Sequence, residues 1–561
     1  MTGDNTKGLA LGKRLRRLAR IEVLGMFVGA VVCAAMAVAA TTPTVDPDVW
    51  WVAAAGRELL SRGRVQRINL FSYVEPAHPW LMHEWLLGPI YATGLSAMGP
   101  SFFTLLTIVT LTFGLYLVLS QTVGRASNPG IGLATAFVCL SCFSSRLLSA
   151  RPSGIAVLMP LALTSIAFAP RFGRASVILS LAVVLVWTNV HGSFLLGIVL
   201  LLVATSLDTD RRRRVVAVVL SAFVTLLNPY GLSLHRFVAG YLLGREGIYR
   251  EINANIREFQ SVIGAFGATV GPIELTGWLL VAVLAALALR SRRYRIRAVF
   301  VLGLLVGALR QARHMELAGL LGCILLEPYA EELVASGRAS ELADAWRKRF
   351  VIGVVSFAAL LGVGTFAVEL RSRSDADWID SGPDLLAALD AVPNDARLYV
   401  PFSRAGLAIW YGRPRGIHVY FDSRNDCYSA RTFTTFLALG DGLLSDEQIA
   451  SVIASTRTNA VLASAHHPLV EWAARRPEFR AMHVTGRFRT YGTYGNGLFG
   501  SAGSPAEPPE PPDPPDPAYP PLPEPPDPRP PVAGGSKPML APPSPPRNES
   551  TTTQVWVAGS Q

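Results

Sequence analysis

The feature that most constrains this chain is a ladder of apolar runs separated by short, arginine-rich loops. They fall at about 21–40, 101–121, 130–148, 154–170, 175–190, 192–207, 214–230, 270–289, 297–311, 314–328 and 350–368, eleven in all. A helix of about 20 apolar residues crosses the hydrocarbon of a bilayer and satisfies its own backbone hydrogen bonds there. The expected fold is therefore an all-α polytopic membrane domain of about 11 helices, spanning residues 21–370. Composition agrees, since 50% of the residues are hydrophobic and 16% charged, against about a quarter charged in soluble domains. A further stretch, Trp85 to Met98, is short and interrupted by Gly88, Pro89 and Gly94, and segments of that kind lie along a membrane surface more often than they cross it.

Positive charge sets the orientation. The N-terminal segment 1–20 carries Lys13, Arg14, Arg16, Arg17 and Arg20, and cytoplasmic placement of such residues is the rule. Run 21–40 is long enough to be kept as an anchor where a cleaved leader would be shorter. With Trp85–Met98 lying flat, the loops holding Arg125, Arg171 with Arg174, Arg211 to Arg214, the cluster from Arg290 to Arg297, and Arg347 to Arg349 all fall on the cytoplasmic side. The net charge of +11 is spent on topology and gives no support to nucleic-acid binding. Four of the five cysteines lie in apolar runs, a pattern that fits neither a disulfide framework nor a zinc site.

The same orientation puts six short polar motifs on the opposite, extracytoplasmic face. The first external loop, 42–100, holds Asp46 and Asp48 before a short amphipathic helix, Trp51 to Leu60, expected to lie along the membrane with Arg57, Arg62 and Arg64 toward headgroups. Asp48 is a candidate base, with a helix N-cap as its structural role. His83 and Glu84 follow; as neighbours on a helix they would point apart, which argues against a metal pair and for acceptor contact or loop organisation. Arg151 stands before Pro152, where its planar fork suits phosphate. Asn189 and His191 share a tight turn, and Asn228 opens the turn NPYG. Arg310, Arg313 and His314 have no acid nearer in sequence than Glu316, and cations at a membrane edge are usually functional. The loop from Gly231 to Val270 reads as a lid of mixed charge.

Beyond the last run, residues 371–500 have the composition of a small extracytoplasmic α/β domain. Helices are expected at DLLAALDAV and DEQIASVIAST, and strands at RLYVPF, GIHVYFD and NAVLASA. The loop Asp422 to Asp426 follows a strand end, and Asp422 and Arg424 are its candidate ligand residues. Residues 501–561 begin with proline-dense sequence that cannot pack a core, and are expected to form an extended, disordered tether.

Taken together, DVWW, FSYVEPAHPWLMHEWL, SARPS, WTNVHGSFLLG, TLLNPYGL, RHMELAGLL and IHVYFDSRNDCY resemble the GT-C superfamily of integral-membrane glycosyltransferases, in a bacterial branch. That superfamily includes protein mannosyltransferases and aminoarabinose transferases, and the likeness covers most of residues 42–430. It implies transfer of a sugar from a polyprenyl-phosphate carrier to an extracytoplasmic glycan, lipid or protein, in a bacterial cytoplasmic membrane. The acid of the first loop then serves as base; Asp48 matches it best and Asp46 second, although Pro47 splits acids that are often adjacent in the family. Cations at Arg151, His191, Arg310, Arg313 and His314 would hold the lipid phosphate, with the carrier chain in a gap beside Pro89. Single displacement inverts the anomeric centre. No cofactor is required, and dependence on a divalent metal is left open. The rival readings are a non-catalytic envelope assembly protein and a lipid-linked substrate flippase, the latter disfavoured by helices nearly uncharged between their ends.

Overall fold

The computed structural model describes residues 46–147, 150–207, 209–243, 248–265, 272–336, 378–484 and 486–493, with positions 25 and 29. The expected span 350–368, the span 21–40 apart from positions 25 and 29, the basic N-terminus and the tail 501–561 lie outside these residues.

Fifteen helices fill the first part of the described chain. They are Pro47–Arg62 (α1), Leu87–Met98 (α2), Ser101–Thr122 (α3), Pro129–Leu147 (α4), Pro152–Ala156 (α5), Leu158–Ala167 (α6), Arg174–Val190 (α7), Leu195–Ala204 (α8), Arg211–Val224 (α9), Leu232–Leu243 (α10), Ile248–Asn255 (α11), Val262–Ala265 (α12), Pro272–Ala288 (α13), Arg295–Arg310 (α14) and Met315–Ser336 (α15). Helices α6, α7, α8 and α9 pack as one set, and α4, α13, α14 and α15 as another. Helix α3 joins them by packing on α4 and α6, and α14 meets α8 along the seam. Apolar side chains also face outward: Ile178 and Leu179 on α7, Phe223 on α9, Val283 on α13 and Val306 on α14 are all more than half exposed.

Each of the nine remaining expected runs coincides with helix. Their lengths differ from expectation. Among the described residues α3, with 22 residues, is the one helix both long and apolar enough to cross a membrane, and the other apolar helices have 10–17 residues. At 1.5 Å per residue the longest of those rises about 26 Å, short of a core about 30 Å thick. Proline causes one break: the ring of Pro160 crowds the carbonyl four residues earlier, and α5 ends there at Ala156. Helix α15 passes its expected end at Pro328 and runs on to Ser336.

The second part contains Trp378–Asp390 (α16), Phe402–Gly412 (α17), Ala430–Gly440 (α18), Asp446–Thr456 (α19) and Pro468–Ala474 (α20), with strands Arg397–Tyr399 (β1), His418–Val419 (β2), Ala460–Ser464 (β3), Arg480–His483 (β4) and Phe488–Gly492 (β5). The sheet order is β2-β1-β3-β5-β4. Strand β1 runs parallel to β2 and β3, and β5 is antiparallel to β3 and β4. The three expected strands and two expected helices are present; α17, α18, α20, β4 and β5 were not anticipated.

The two parts are stitched together by the first loop. The Val419 N–H donates to the Phe71 carbonyl at 2.9 Å, and the Tyr73 N–H donates to the Val419 carbonyl at 3.3 Å, so this loop extends the sheet edge beside β2. Asn69 Nδ2 donates to the Cys427 carbonyl at 3.2 Å, and the Ser429 N–H to Glu75 Oε2 at 2.8 Å. Helix α1 is the centre of the joint. It starts because the Asp46 side chain caps it, accepting from the Asp48 N–H at 2.9 Å, and Pro47 supplies the fixed φ of a first turn. Residues Val49 to Gly56 are all buried.

The helix expected to lie along the membrane surface is enclosed over its first turns. Helix α1 is covered by α2 on one side and α17 on the other. Gly56 and Gly88 let the backbones of α1 and α2 touch, so closely that a Cβ at Gly88 would lie 2.9 Å from the Gly56 Cα. Arg57 points to the second part, donating to the Trp410 carbonyl at 2.9 Å and stacking 4.4 Å from its ring centroid, and Arg62 pairs with Glu58 at 2.9 Å. The enclosure covers Val49 to Gly56, while Leu60, Ser61 and Arg62 at the end of the helix are exposed.

Candidate active site

At the joint lies a cavity of about 1080 Å³. Asp48, His83, Glu84, Arg151, His191, Arg310, Arg313 and His314 all line it, although they come from five separate stretches of chain. Asp48 and Arg313, 265 positions apart in sequence, thus face one space.

The start of α1 positions the acid. Asp46 takes the N-cap and lies off the cavity wall, which leaves Asp48, one turn in, to face the cavity. Asp48 is therefore not the cap. Its Oδ1 accepts from Trp51 Nε1 at 3.0 Å and its Oδ2 lies 2.9 Å from Arg151 Nη2. Burial, opposed by Arg151 and reinforced by the charge of Asp48, pushes the Asp46 carboxyl up to about 6.

Arg151 caps the start of α5, where Pro152 forces the preceding residue into extended backbone. It is the hub of an ionic network: Nη1 lies 3.3 Å from Glu258 Oε2 and 3.6 Å from Asp46 Oδ2. Glu258 continues to Arg313, whose Nη1 lies 3.6 Å from Glu258 Oε1 and 3.4 Å from the Tyr241 hydroxyl, with the guanidinium 4.4 Å from the Phe259 ring centroid. This corrects the expectation that the cations near residue 313 lack an acid. The partner comes from the segment read as a lid, and nothing local in sequence marked it. His314 Nε2 bonds to Gln311 Oε1 at 3.0 Å, and Gln311 in turn donates to Asn253 Oδ1 at 3.0 Å.

The pair His83 and Glu84 also departs from expectation. The chain there turns instead of forming a helix, so both side chains face the cavity, with His83 Nε2 3.5 Å from Glu84 Oε1. Burial, with the charge of Asp48 adding to it, raises the Glu84 carboxyl to about 8, and its Oε2 has no partner among the described residues. Burial also lowers His83. His191 packs its ring 6.0 Å from that of His83 and caps the following turn, its Nδ1 accepting from the Ser193 N–H at 3.1 Å. Among the described residues no three metal-ligating side chains cluster.

Two candidates organise loops and do not reach the cavity. Asn189 accepts from Trp85 Nε1 at 2.8 Å and donates to the Leu185 and Leu227 carbonyls at 2.8 and 3.1 Å. Asn228 closes its own turn, donating to the Thr225 carbonyl at 2.9 Å and accepting from the Tyr230 N–H at the same distance.

From above, the loop Asp422–Asp426 forms the roof. Asp422 is fully buried behind it, and Arg424 is 4% exposed. Arg424 Nε donates to Asp422 Oδ1 at 2.8 Å and Nη2 to Asp422 Oδ2 at 2.6 Å. Asp422 is thus a partner to Arg424 and not a ligand residue, and Ser423, Asn425 and Asp426 line the cavity in its place. Burial pushes the Asp426 carboxyl up to about 7, against the pull of His83 and Arg424.

Toward the helices the wall becomes apolar. Leu195, Leu196 and Val199 of α8 face Gly303, Leu304 and Gly307 of α14 across the seam between the two helix sets. A Cβ at Gly303 or Gly307 would meet nothing within 4 Å, so that face of α14 is open. Pro89, beside which a gap was expected, lies in α2 next to the Gly56–Gly88 contact and does not line this cavity.

Neither a family profile nor any curated protein matches the sequence. Solved structures do match. ArnT from Cupriavidus metallidurans, bound to undecaprenyl phosphate, superposes with a TM-score of 0.50 at 11% identity, over 83% of this chain and 97% of that one. The arabinofuranosyltransferase AftD from Mycobacteria gives 0.47 at 14% identity, over 84% of this chain and 40% of that one. The apo oligosaccharyltransferase from Archaeoglobus fulgidus gives 0.48 at 9%, over 78% and 69%. The likeness is one of fold alone: this chain shares the fold of the ArnT structure.

Proposed function

We propose that this chain is a membrane glycosyltransferase that moves a sugar from a polyprenyl-phosphate carrier to an acceptor outside the cytoplasmic membrane. One observation carries the reading: a carboxylate, Asp48, shares a cavity with Arg151, Arg310, Arg313 and His314, and that cavity continues into an apolar cleft between α8 and α14. A polyprenyl phosphate has the matching parts, an anionic head and a long hydrocarbon chain. The ArnT structure of the same fold holds undecaprenyl phosphate, and the outward apolar side chains of α7, α9, α13 and α14 suit a lipid environment.

In this mechanism the lipid phosphate draws Arg313 and Arg151 away from Glu258, exchanging one anion for another. Asp48 orients the acceptor hydroxyl and takes its proton. The acceptor oxygen attacks the anomeric carbon as the bond from that carbon to the phosphate oxygen breaks. Polyprenyl phosphate leaves with the electron pair, stabilised by the guanidinium groups, and the anomeric configuration inverts. The leaving phosphate needs no proton, so a single carboxylate suffices, unlike the paired carboxylates of glycoside hydrolysis.

Purified full chain incubated with radiolabelled polyprenyl-phosphate sugars and a cell-envelope extract tests this. Transfer by the native chain that is abolished in Asp48→Asn supports it. No turnover of any donor by the native chain rejects it in favour of an assembly role.

A further inference from the structure

The roof of the cavity holds polar atoms that the protein leaves unused. Arg424 Nη1, Ser423 Oγ and Asn425 Oδ1 are buried without a hydrogen-bond partner among the described residues, and all three residues line the cavity. A buried polar atom without a partner is costly. Three on consecutive residues, in a loop otherwise densely bonded, mark a place where something else supplies the partners.

The loop is also built to hold its shape. Asp422 accepts the Arg424 N–H at 2.9 Å and the Tyr428 hydroxyl at 2.6 Å, besides the two guanidinium bonds. Arg424 Nη2 reaches Asn69 Oδ1 at 2.7 Å, and the guanidinium lies 4.8 Å from the Phe71 ring centroid and 4.6 Å from that of Trp80. Asn425 sits at φ 38°, in the left-handed region that asparagine tolerates.

The chemistry of the unused atoms selects the ligand. Arg424 has its charge cancelled by Asp422, so at Nη1 it offers a donor without a net attraction for anions. Asn425 Oδ1 offers an acceptor, and Ser423 Oγ can be either. A closely spaced donor, acceptor and donor-acceptor match hydroxyl groups, which both give and take hydrogen bonds. They do not match a phosphate, which only accepts.

We infer that Ser423, Arg424 and Asn425 form a subsite for a neutral sugar at the roof of the cavity, distinct from the cations that take the lipid phosphate. This deepens the proposed transferase reading and rests on it for the role of the sugar, which belongs either to the donor lipid or to the acceptor glycan.

The test uses detergent-solubilised full chain and soluble methyl glycosides and disaccharides of mannose and arabinose, followed by saturation-transfer NMR. The double variant Ser423→Ala/Asn425→Gly removes two polar groups and keeps the left-handed backbone, so circular dichroism and melting should match the native chain. Each neutral hydrogen bond lost weakens binding about fivefold. Saturation transfer to at least one sugar, weakened tenfold or more in the variant, is expected. No transfer to any sugar, or equal transfer in both proteins, overturns the subsite.

Competition then assigns the source. Displacement of the soluble sugar by a polyprenyl-phosphate sugar, but not by bare polyprenyl phosphate, places the donor's sugar at the roof; displacement by neither places the acceptor there. Binding of bare polyprenyl phosphate, measured separately, reports on the transferase reading alone.

Discussion

The floor and the roof of the cavity handle an arginine in opposite ways. On the floor, Arg151 is shared among Asp46, Asp48 and Glu258, and Arg313 reaches Glu258 at 3.6 Å. These are long or divided contacts with side chains a sixth to a quarter exposed, the kind of pairing that another anion can replace. At the roof, Arg424 is locked to one fully buried carboxylate by two bonds of 2.6 and 2.8 Å. Under the proposed function the same residue type is exchangeable below and structural above: the charge of the floor serves a phosphate, while the charge of Arg424 is held by Asp422 and leaves only neutral hydrogen bonds.

The largest effect that would break this comparison is at Asp48. Asp48→Asn should lower sugar transfer about a thousandfold, the span of a lost general base, while binding of bare polyprenyl phosphate, followed by a change in melting temperature, stays the same or tightens. If transfer persists, another floor group is the base.

Next comes the roof pair. Asp422→Ala leaves the Arg424 charge buried and alone, a loss of about 3–5 kcal/mol, read as a fall in melting temperature. Asp422→Ala/Arg424→Met should recover much of it if the pair is structural.

On the floor, Arg313→Ala should weaken bare polyprenyl phosphate binding about tenfold to a hundredfold, from the worth of a charge-assisted hydrogen bond, with little change in melting temperature. Glu258→Gln should do the reverse, because it removes the anion that competes with the phosphate. A melting loss in Arg313→Ala as large as that of Asp422→Ala would erase the distinction between floor and roof.

The smallest effect is a pH dependence. Glu84 is raised from the usual carboxylate range to about 8 by burial, then by the charge of Asp48. The folded chain therefore holds a proton that the unfolded chain releases near pH 4.5, and stability falls as pH rises through that window toward 8. The half-buried histidines His83, His418 and His467, with lowered pKa, contribute the opposite sign below pH 6.5, so the difference between the two proteins reports Glu84: between pH 5 and 8 the melting temperature of Glu84→Gln should rise relative to that of the native chain. Asp426, raised to about 7 by burial, contributes the same sign as Glu84 over a narrower range, so some slope should survive in the variant.

Much of this molecule was legible along the chain because its signals are local. Apolar runs mark helices, since a run of that length has few other ways to satisfy its backbone. Asp46, Pro47 and Asp48 announce a helix start by capping chemistry that acts within four residues. Asn228 in NPYG was readable as a turn for the same reason, and its bonds are indeed to its own turn. Loop Asp422–Asp426 was visible as a strand-end loop; of its two candidate residues Arg424 lines the cavity, whereas Asp422 lies behind it and is bonded to Arg424.

What the chain order alone determined is the type of its elements, the side on which its polar corners are expected, and the identity of the residues at those corners. Tertiary structure alone decided which corners share a space, that Glu258 answers Arg313 and Arg151, that the first turns of α1 are enclosed between α2 and α17, and that the cleft opens at Gly303 and Gly307. The physical reason is range. Backbone propensity and capping act over a few neighbouring residues, whereas ion pairing, burial and the shape of a cavity depend on side chains that meet only after loops hundreds of residues apart, such as Asn69 and Cys427, have been bonded together.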